Sequence, residues 1–329
     1  MLPGHGKLSG FAAVPLAFAA IWGAQQQPAV DPRVAIEPRP KAPAADGAKP
    51  TLRADTALVL IPVTVTDPRN RIVTGLEKAN FRVYEDKIEQ TITHFSSDDA
   101  PISGGVVFDC SASMGSKLLR SRQAVAQFFR TANPEDEFFL VQFSEDVRVA
   151  QAFTKSLQVI QDRLAFTTSR GHTALLDAIY MALQEMKRAN NPRKALLVIS
   201  DGGDNSSRYS EAEIKNLVRE VDVQIYAIGI YEPIGARSRT PEEMRGPRLL
   251  TEIAEETGGR QYSVDNVNEL PDVAAKIGVE LRNEYVLGYT SANRERDGRY
   301  RRVEVKLAAP RGFPVLRASW RLGYYAPTD

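Results

Sequence analysis

The sequence predicts a doubly wound α/β fold with a mostly parallel sheet, inserted into a small β-sandwich that the N- and C-terminal strands form together. Three observations predict it. Between about Ile102 and Leu281, short apolar runs alternate with amphipathic helical segments, which is the pattern of βαβ units. The runs Gly104 to Phe108, Phe138 to Phe143, Ala195 to Ser200 and Val223 to Ile230 are apolar without alternation, as parallel strands covered on both faces must be. Strand-like segments also flank this region at both ends, and neither flank is large enough to bury a core alone.

In chain order, Lys7 precedes an apolar run from Leu8 to Ala24 that Gln25-Gln26-Gln27-Pro28 stops abruptly. Residues 1 to 24 therefore read as a secretory signal peptide cut after Ala24. An uncleaved N-terminal anchor is the alternative, although the run is short for a span and contains Pro15. Residues 25 to 54 hold six prolines and no apolar period, the composition of an extended tether.

Residues 55 to 100 form an N-terminal β segment, with strands expected at Leu58 to Thr66, Phe81 to Tyr84 and Glu89 to Phe95. The tight turn Glu85-Asp86-Lys87 joins the second to the third, and a left-handed Lys87 would cost roughly 1 kcal/mol. The α/β domain spans 101 to 282. Its helices fit Ser116 to Thr131, Leu157 to Phe166, Ala174 to Ala189, Glu211 to Val221, Arg248 to Glu256 and Val267 to Leu281. In the first of these, Leu118, Leu119, Val125, Phe128 and Phe129 make one broad core-facing stripe. Pro233 to Pro247, with Arg237, Arg239 and Arg245, is polar and irregular and reads as a loop over the sheet's carboxyl edge.

Residues 283 to 329 supply strands at Glu284 to Thr290, Tyr300 to Leu307 and Val315 to Arg321, the first two joined as a hairpin through Asp297-Gly298. Pairing these with residues 55 to 100 would complete the sandwich. Phe95, Tyr285, Tyr289, Trp320 and Tyr324 are its candidate core aromatics.

The 329 residues are 43% hydrophobic and 25% charged with a net charge of +1, so the chain is globular in composition and close to neutral. Neutrality gives no reason to expect nucleic acid or an acidic membrane as partner. Cys110 is the single cysteine, which rules out an internal disulfide and leaves stability to packing. It reads as a small buried hydrophobe. A thiol activated beside the loop is the sharper alternative, but no neighbouring His or Lys in sequence would lower its pKa.

The chemistry concentrates at Phe108-Asp109-Cys110-Ser111-Ala112-Ser113-Met114-Gly115. One carboxylate and two hydroxyls stand at i, i+2 and i+4 where a strand turns into a helix, at the carboxyl edge at which open α/β sheets bind ligands. Oxygen donors without His or thiolate suit Mg²⁺, with Mn²⁺ or Ca²⁺ as alternatives. Two later segments offer partners. Thr173 lies at the loop-to-helix junction Gly171-His172-Thr173-Ala174, and Asp201 follows the apolar run Ala195 to Ser200.

This ordered set, Asp-x-Ser-x-Ser then Thr then Asp-Gly, resembles the metal-ion-dependent adhesion site of the von Willebrand factor type A family. The leading strand Phe81-Arg82-Val83-Tyr84-Glu85-Asp86 and the later Tyr285-Val286-Leu287-Gly288-Tyr289 resemble those of secreted bacterial proteins with a domain related to that family. The resemblance covers roughly residues 56 to 325. It implies that Asp109, Ser111 and Ser113 hold the cation directly and that Thr173 and Asp201 hold it directly or through water. It also implies that an Asp or Glu carboxylate from a protein partner completes the coordination. The expected function is thus a secreted or periplasmic, non-catalytic binding module. In some members the last helix moves when an acidic ligand arrives, and here only Arg282 and Asn283 separate that helix from the next strand. His172 stands where the family usually has a small residue; it reads as an exposed loop residue or as a pH-sensitive neighbour of the bound carboxylate.

Two other readings remain. In one the cation only stabilises the loops of a structural scaffold. In the other Asp109 or Ser111 is the nucleophile of a hydrolase or phosphatase. The second lacks a base, because the histidines are His5, His94 and His172, a G-x-S-x-G elbow is absent, and Ser stands at 111 where an aspartyl phosphatase wants a second Asp. Asp204 reads as a turn residue rather than a ligand of a second cation, and Asp177 as a supporting or surface acid.

Overall fold

The computed structural model describes residues 58–231, 241–308 and 315–328. The expected signal segment and tether, and residues 232–240, which take in the first part of the arginine-bearing loop, lie outside the described residues.

The N-terminal flank supplies β1 (Leu58–Thr66), β2 (Phe81–Glu85), β3 (Ile88–Gln90) and β4 (Ile92–Ser96). Between β2 and β3 both Asp86 (φ 47°) and Lys87 (φ 72°) are left-handed, as a two-residue hairpin turn with the strands' own twist requires. The single strand expected over Glu89 to Phe95 is two. Residues 88–90 pair with β2, and beyond Thr91 residues 92–96 pass to the facing sheet. A segment that reaches both sheets of a sandwich stays hydrogen-bonded only by bending at the corner.

The central region runs β5 (Ile102–Asp109), α1 (Leu118–Phe129), β6 (Glu137–Phe143), β7 (Val147–Thr154), α2 (Leu157–Ala165), α3 (Leu175–Met186), β8 (Arg193–Ser200), α4 (Glu211–Glu220), β9 (Gln224–Ile230), α5 (Pro241–Glu256), β10 (Gln261–Val264) and α6 (Leu270–Arg282). Its sheet has the order β10-β9-β8-β5-β6-β7. All neighbours are parallel except β7, which runs antiparallel to β6. The edge strands β7 and β10 escaped the sequence reading because half-exposed edges lack a long apolar run.

Every residue of β5, β6 and β9 is buried. One face of the sheet packs under α1, α2 and α6 through Phe128, Phe129, Leu164 and Ile277. The other packs under α3, α4 and α5 through Ile179, Leu183, Val218 and Ile253. Two expectations need correction. Leu119 is 62% exposed and does not belong to the buried stripe of α1. Residues 241 to 247, expected as loop, are the first turns of α5, which Pro241 can open because a helix's first N–H groups have no partner within it. Among the described residues no helix is long and apolar enough to cross a membrane.

The C-terminal flank supplies β11 (Tyr285–Thr290), β12 (Tyr300–Leu307), β13 (Arg317–Trp320) and β14 (Gly323–Tyr325). With the N-terminal strands they make two four-stranded sheets, β13-β1-β11-β4 and β14-β12-β2-β3. β11 and β12 therefore lie in opposite sheets, and the hairpin expected through Asp297-Gly298 does not exist. The turn is real, with Gly298 at φ 66°. However, Arg301 donates to the carbonyls of Asn293 and Glu295 and draws residues 291 to 299 across the sandwich. Ile61, Val63, Val83, Tyr285, Leu287, Tyr289, Val303 and Val305 form one core from both flanks, with Phe95, Trp320 and Tyr324 packed against it.

Candidate metal centre

Three loops meet at the carboxyl ends of β5 and β8. The first begins at Asp109, the last residue of β5, whose Oδ1 accepts the Ser111 N–H at 2.8 Å. Ala112–Met114 then make one tight turn into α1, and the hydroxyls of Ser111 and Ser113 stand 3.0 Å apart. The second loop, residues 166 to 174, is stitched to the first. Arg170 N donates to Cys110 O at 2.8 Å and Ala112 N to Gly171 O at 3.0 Å. Gly171 has φ 75°, and a Cβ there would lie 3.0 Å from the Glu145 side chain, so both backbone and space call for glycine.

The third loop follows β8. Thr173 N donates to Asn205 Oδ1 at 2.9 Å, and Thr173 O accepts from Asn205 N at 3.0 Å. Gly202 takes φ 80° where a Cβ would meet Gly246 Cα at 2.9 Å. Asp109, Ser111, Thr173 and Asp201 are buried and Ser113 is exposed. The structure thus brings the loops of all five sequence-selected residues together.

The electrostatics centre on two acids. Asp109 is 0% exposed, and its Oδ2 accepts the Ser200 hydroxyl at 2.6 Å. Its burial first, and then the negative charge of Asp201, push its carboxyl up to about 7. Lys117, itself 7% exposed, sets its Nζ 3.0 Å from Asp201 Oδ2. The sequence reading missed this lysine. Nothing local in the sequence marks it: Lys117 stands at the N-cap of α1, where a lysine reads as an ordinary helix-entry cation until Asp201 is brought beside it.

The neighbours are explained by structure. Burial first, then the charge of Asp109, push the Cys110 thiol up to about 12, so it is a packed thiol rather than a nucleophile. His172 is exposed. Asp204 Oδ1 accepts Ser207 Oγ at 2.6 Å and Leu176 N at 3.3 Å at the start of α3, and Asp177 Oδ1 accepts the N–H groups of Arg208 and Tyr209. Both acids fasten the third loop to α3.

Among the described residues no three His, Cys, Asp or Glu side chains gather into a metal-binding group. The donor set at the loops is instead two carboxylates and three hydroxyls, an all-oxygen set that fits a hard cation and leaves coordination positions to other ligands. Lys117 already compensates Asp201, so the buried Asp109 carboxyl beside hydroxyl oxygens is the group whose charge a divalent cation would relieve.

Residues 106–203 match the family model of the von Willebrand factor type A domain. An uncharacterized protein of Borreliella burgdorferi is 25% identical over 181 residues, which are 49% of this chain and 53% of that protein. Inter alpha-trypsin inhibitor, heavy chain 4, of Mus musculus is 26% identical over 145 residues, 39% of this chain and 15% of that protein. The chain thus spans about half or less of the length of these relatives. Among solved structures, von Willebrand factor type A from Catenulispora acidiphila has a TM-score of 0.48 at 13% identity, covering 82% of this chain and 74% of that one.

Proposed function

We propose that the von Willebrand factor type A domain of this chain binds one divalent cation, Mg²⁺ by preference, and through it an acidic side chain of a protein partner. Asp109, Ser111, Ser113, Thr173 and Asp201 would hold the cation. When bound, it supplies a positive centre on which a partner carboxylate can replace water. The chain's own residues provide the rest. Ser200 fixes one oxygen of Asp109 and the Ser111 N–H fixes the other, and the Gly171 and Asn205 backbones hold the Thr173 loop against its neighbours.

The observation that carries this reading is the burial of Asp109 together with Asp201 beside paired serine hydroxyls. The hydroxyl of Ser111 faces that of Ser113 rather than a histidine, which supports binding over nucleophilic catalysis. We assign the module to the exterior or envelope of the cell, carried there by residues 1 to 24.

The test is affinity capture from the native cell envelope, with Mg²⁺, with EDTA and with an Asp109→Ala control. Capture that needs Mg²⁺ and Asp109, while circular dichroism reports an intact fold in EDTA, is the expected result. Equal capture in all three arms would leave the cation no role in recognition and would favour a scaffold.

A further inference from the structure

The cation reading above leaves one buried charge unassigned. Resting on that reading, we infer that Lys117 is a built-in competitor of the divalent cation: its ammonium occupies Asp201 and sets how tightly the site binds metal.

The Lys117 and Asp201 side chains are each 9% exposed, with Nζ and Oδ2 3.0 Å apart, so this ion pair is largely withdrawn from water. It is aimed at the site rather than lying on its rim. Asp201 directly follows Ser200, whose hydroxyl donates to Asp109 Oδ2 at 2.6 Å, so the ion pair stands beside the first carboxylate of the site. The backbone of Lys117 has little freedom to retreat, because its N–H donates to Met114 O at 2.9 Å and its carbonyl accepts Ser121 N at 3.0 Å. The Ser121 hydroxyl donates to the same carbonyl at 3.1 Å. The aliphatic stem, by contrast, has four rotatable carbons.

A cation held by Asp109 and Asp201 would share Asp201 with the Lys117 ammonium, in surroundings largely withdrawn from water where repulsion between like charges is strong. Metal binding then requires the ammonium to leave Oδ2, or Asp201 to divide its two oxygens between lysine and metal. Either way part of an existing ion pair is lost, and the apparent affinity falls. In exchange, the pair compensates one of the two buried carboxylates whether or not a cation arrives. A pure positioning role has the opposite sign: if Lys117 merely oriented Asp201 for the metal, removing it would weaken binding.

The test is titration calorimetry of the full chain with Mg²⁺ alone, using Lys117→Met, Lys117→Gln and Lys117→Arg beside the unaltered chain and Asp109→Ala. The two neutral variants are expected to bind Mg²⁺ on the order of tenfold more tightly, and the arginine variant, which keeps the charge, within about threefold of the unaltered chain. Melting in EDTA should occur at a lower temperature in the neutral variants, and Mg²⁺ should raise it by more than in the unaltered chain. Should the methionine variant fail to fold, the glutamine variant carries the comparison. Equal or weaker Mg²⁺ affinity in the neutral variants, with binding still abolished by Asp109→Ala, overturns the competitor role and leaves the metal site standing. Mg²⁺ binding that survives Asp109→Ala overturns the metal site, and the competitor role with it.

Discussion

Lys87 holds a backbone conformation that its side chain opposes. At φ 72° it sits beside Asp86 at φ 47°, and the turn is retained because Asp86 Oδ1 accepts the Arg302 N–H at 3.0 Å and Asp86 N donates to Arg302 O at 2.9 Å. Lys87→Gly is therefore expected to stabilise the protein by up to about 1 kcal/mol, offset in part by the extra freedom of glycine in the unfolded chain. A denaturant midpoint that stays the same or falls would show that the conformation carries no strain. Lys87 was legible in sequence because a two-residue turn dictates its own dihedrals. The meeting of the three oxygen-bearing loops at the sheet edge was legible for a similar reason: Asp109, Ser111 and Ser113 follow a local spacing, and Thr173 and Asp201 each sit at the edge of an element. Lys117 was not, because its meaning depends on Asp201, which is distant in sequence and reaches it only through the β5 and β8 pairing.

The helix α6 shows what element-level reading can and cannot see. Its amphipathic pattern and its short link to β11 were plain in sequence, but the side chains that tie down its end were not. Arg282 pairs with Asp99 at 3.0 Å and also with Asp136, while Arg260 pairs with Glu280 at 3.1 Å. Just beyond the helix, Glu284 accepts from Arg193 and Gln224, each at 2.8 Å. Sliding the helix would strand buried charges, and breaking one such pair typically costs about 3–5 kcal/mol. A ligand-driven shift of the kind the family resemblance suggested would have to overcome that.

Glu280 gives a pH signature for the same element. Burial, the largest influence, raises its carboxyl above the usual 4.5 despite Tyr262 and Arg260. A raised folded-state value means that its contribution to stability is full below 4.5 and is lost as the pH rises through that raised value. Relative to Glu280→Gln, the unaltered chain should thus lose stability from about pH 4.5 upward. Parallel pH profiles in urea unfolding would contradict the raised value.

At the scale of the whole molecule, the α/β region emerges from a sandwich whose single core needs both chain ends. That insertion was legible because each flank alone was too small to bury a core. The route was less so. The corner at Thr91 and the crossing of residues 291 to 299 depend on which sheet offers an unpaired edge, and a local Asp-Gly signal carries no such information. The design places Asp109 at the end of a strand buried along its whole length, so a change at its tip should spare the fold. Titration calorimetry of Mg²⁺ into the unaltered chain and into Asp109→Ala, with both checked for the same cooperative unfolding, addresses the cation site most directly. The expected result is a single bound cation in the unaltered chain and none in the variant; equal Mg²⁺ affinity in two equally folded proteins would contradict it.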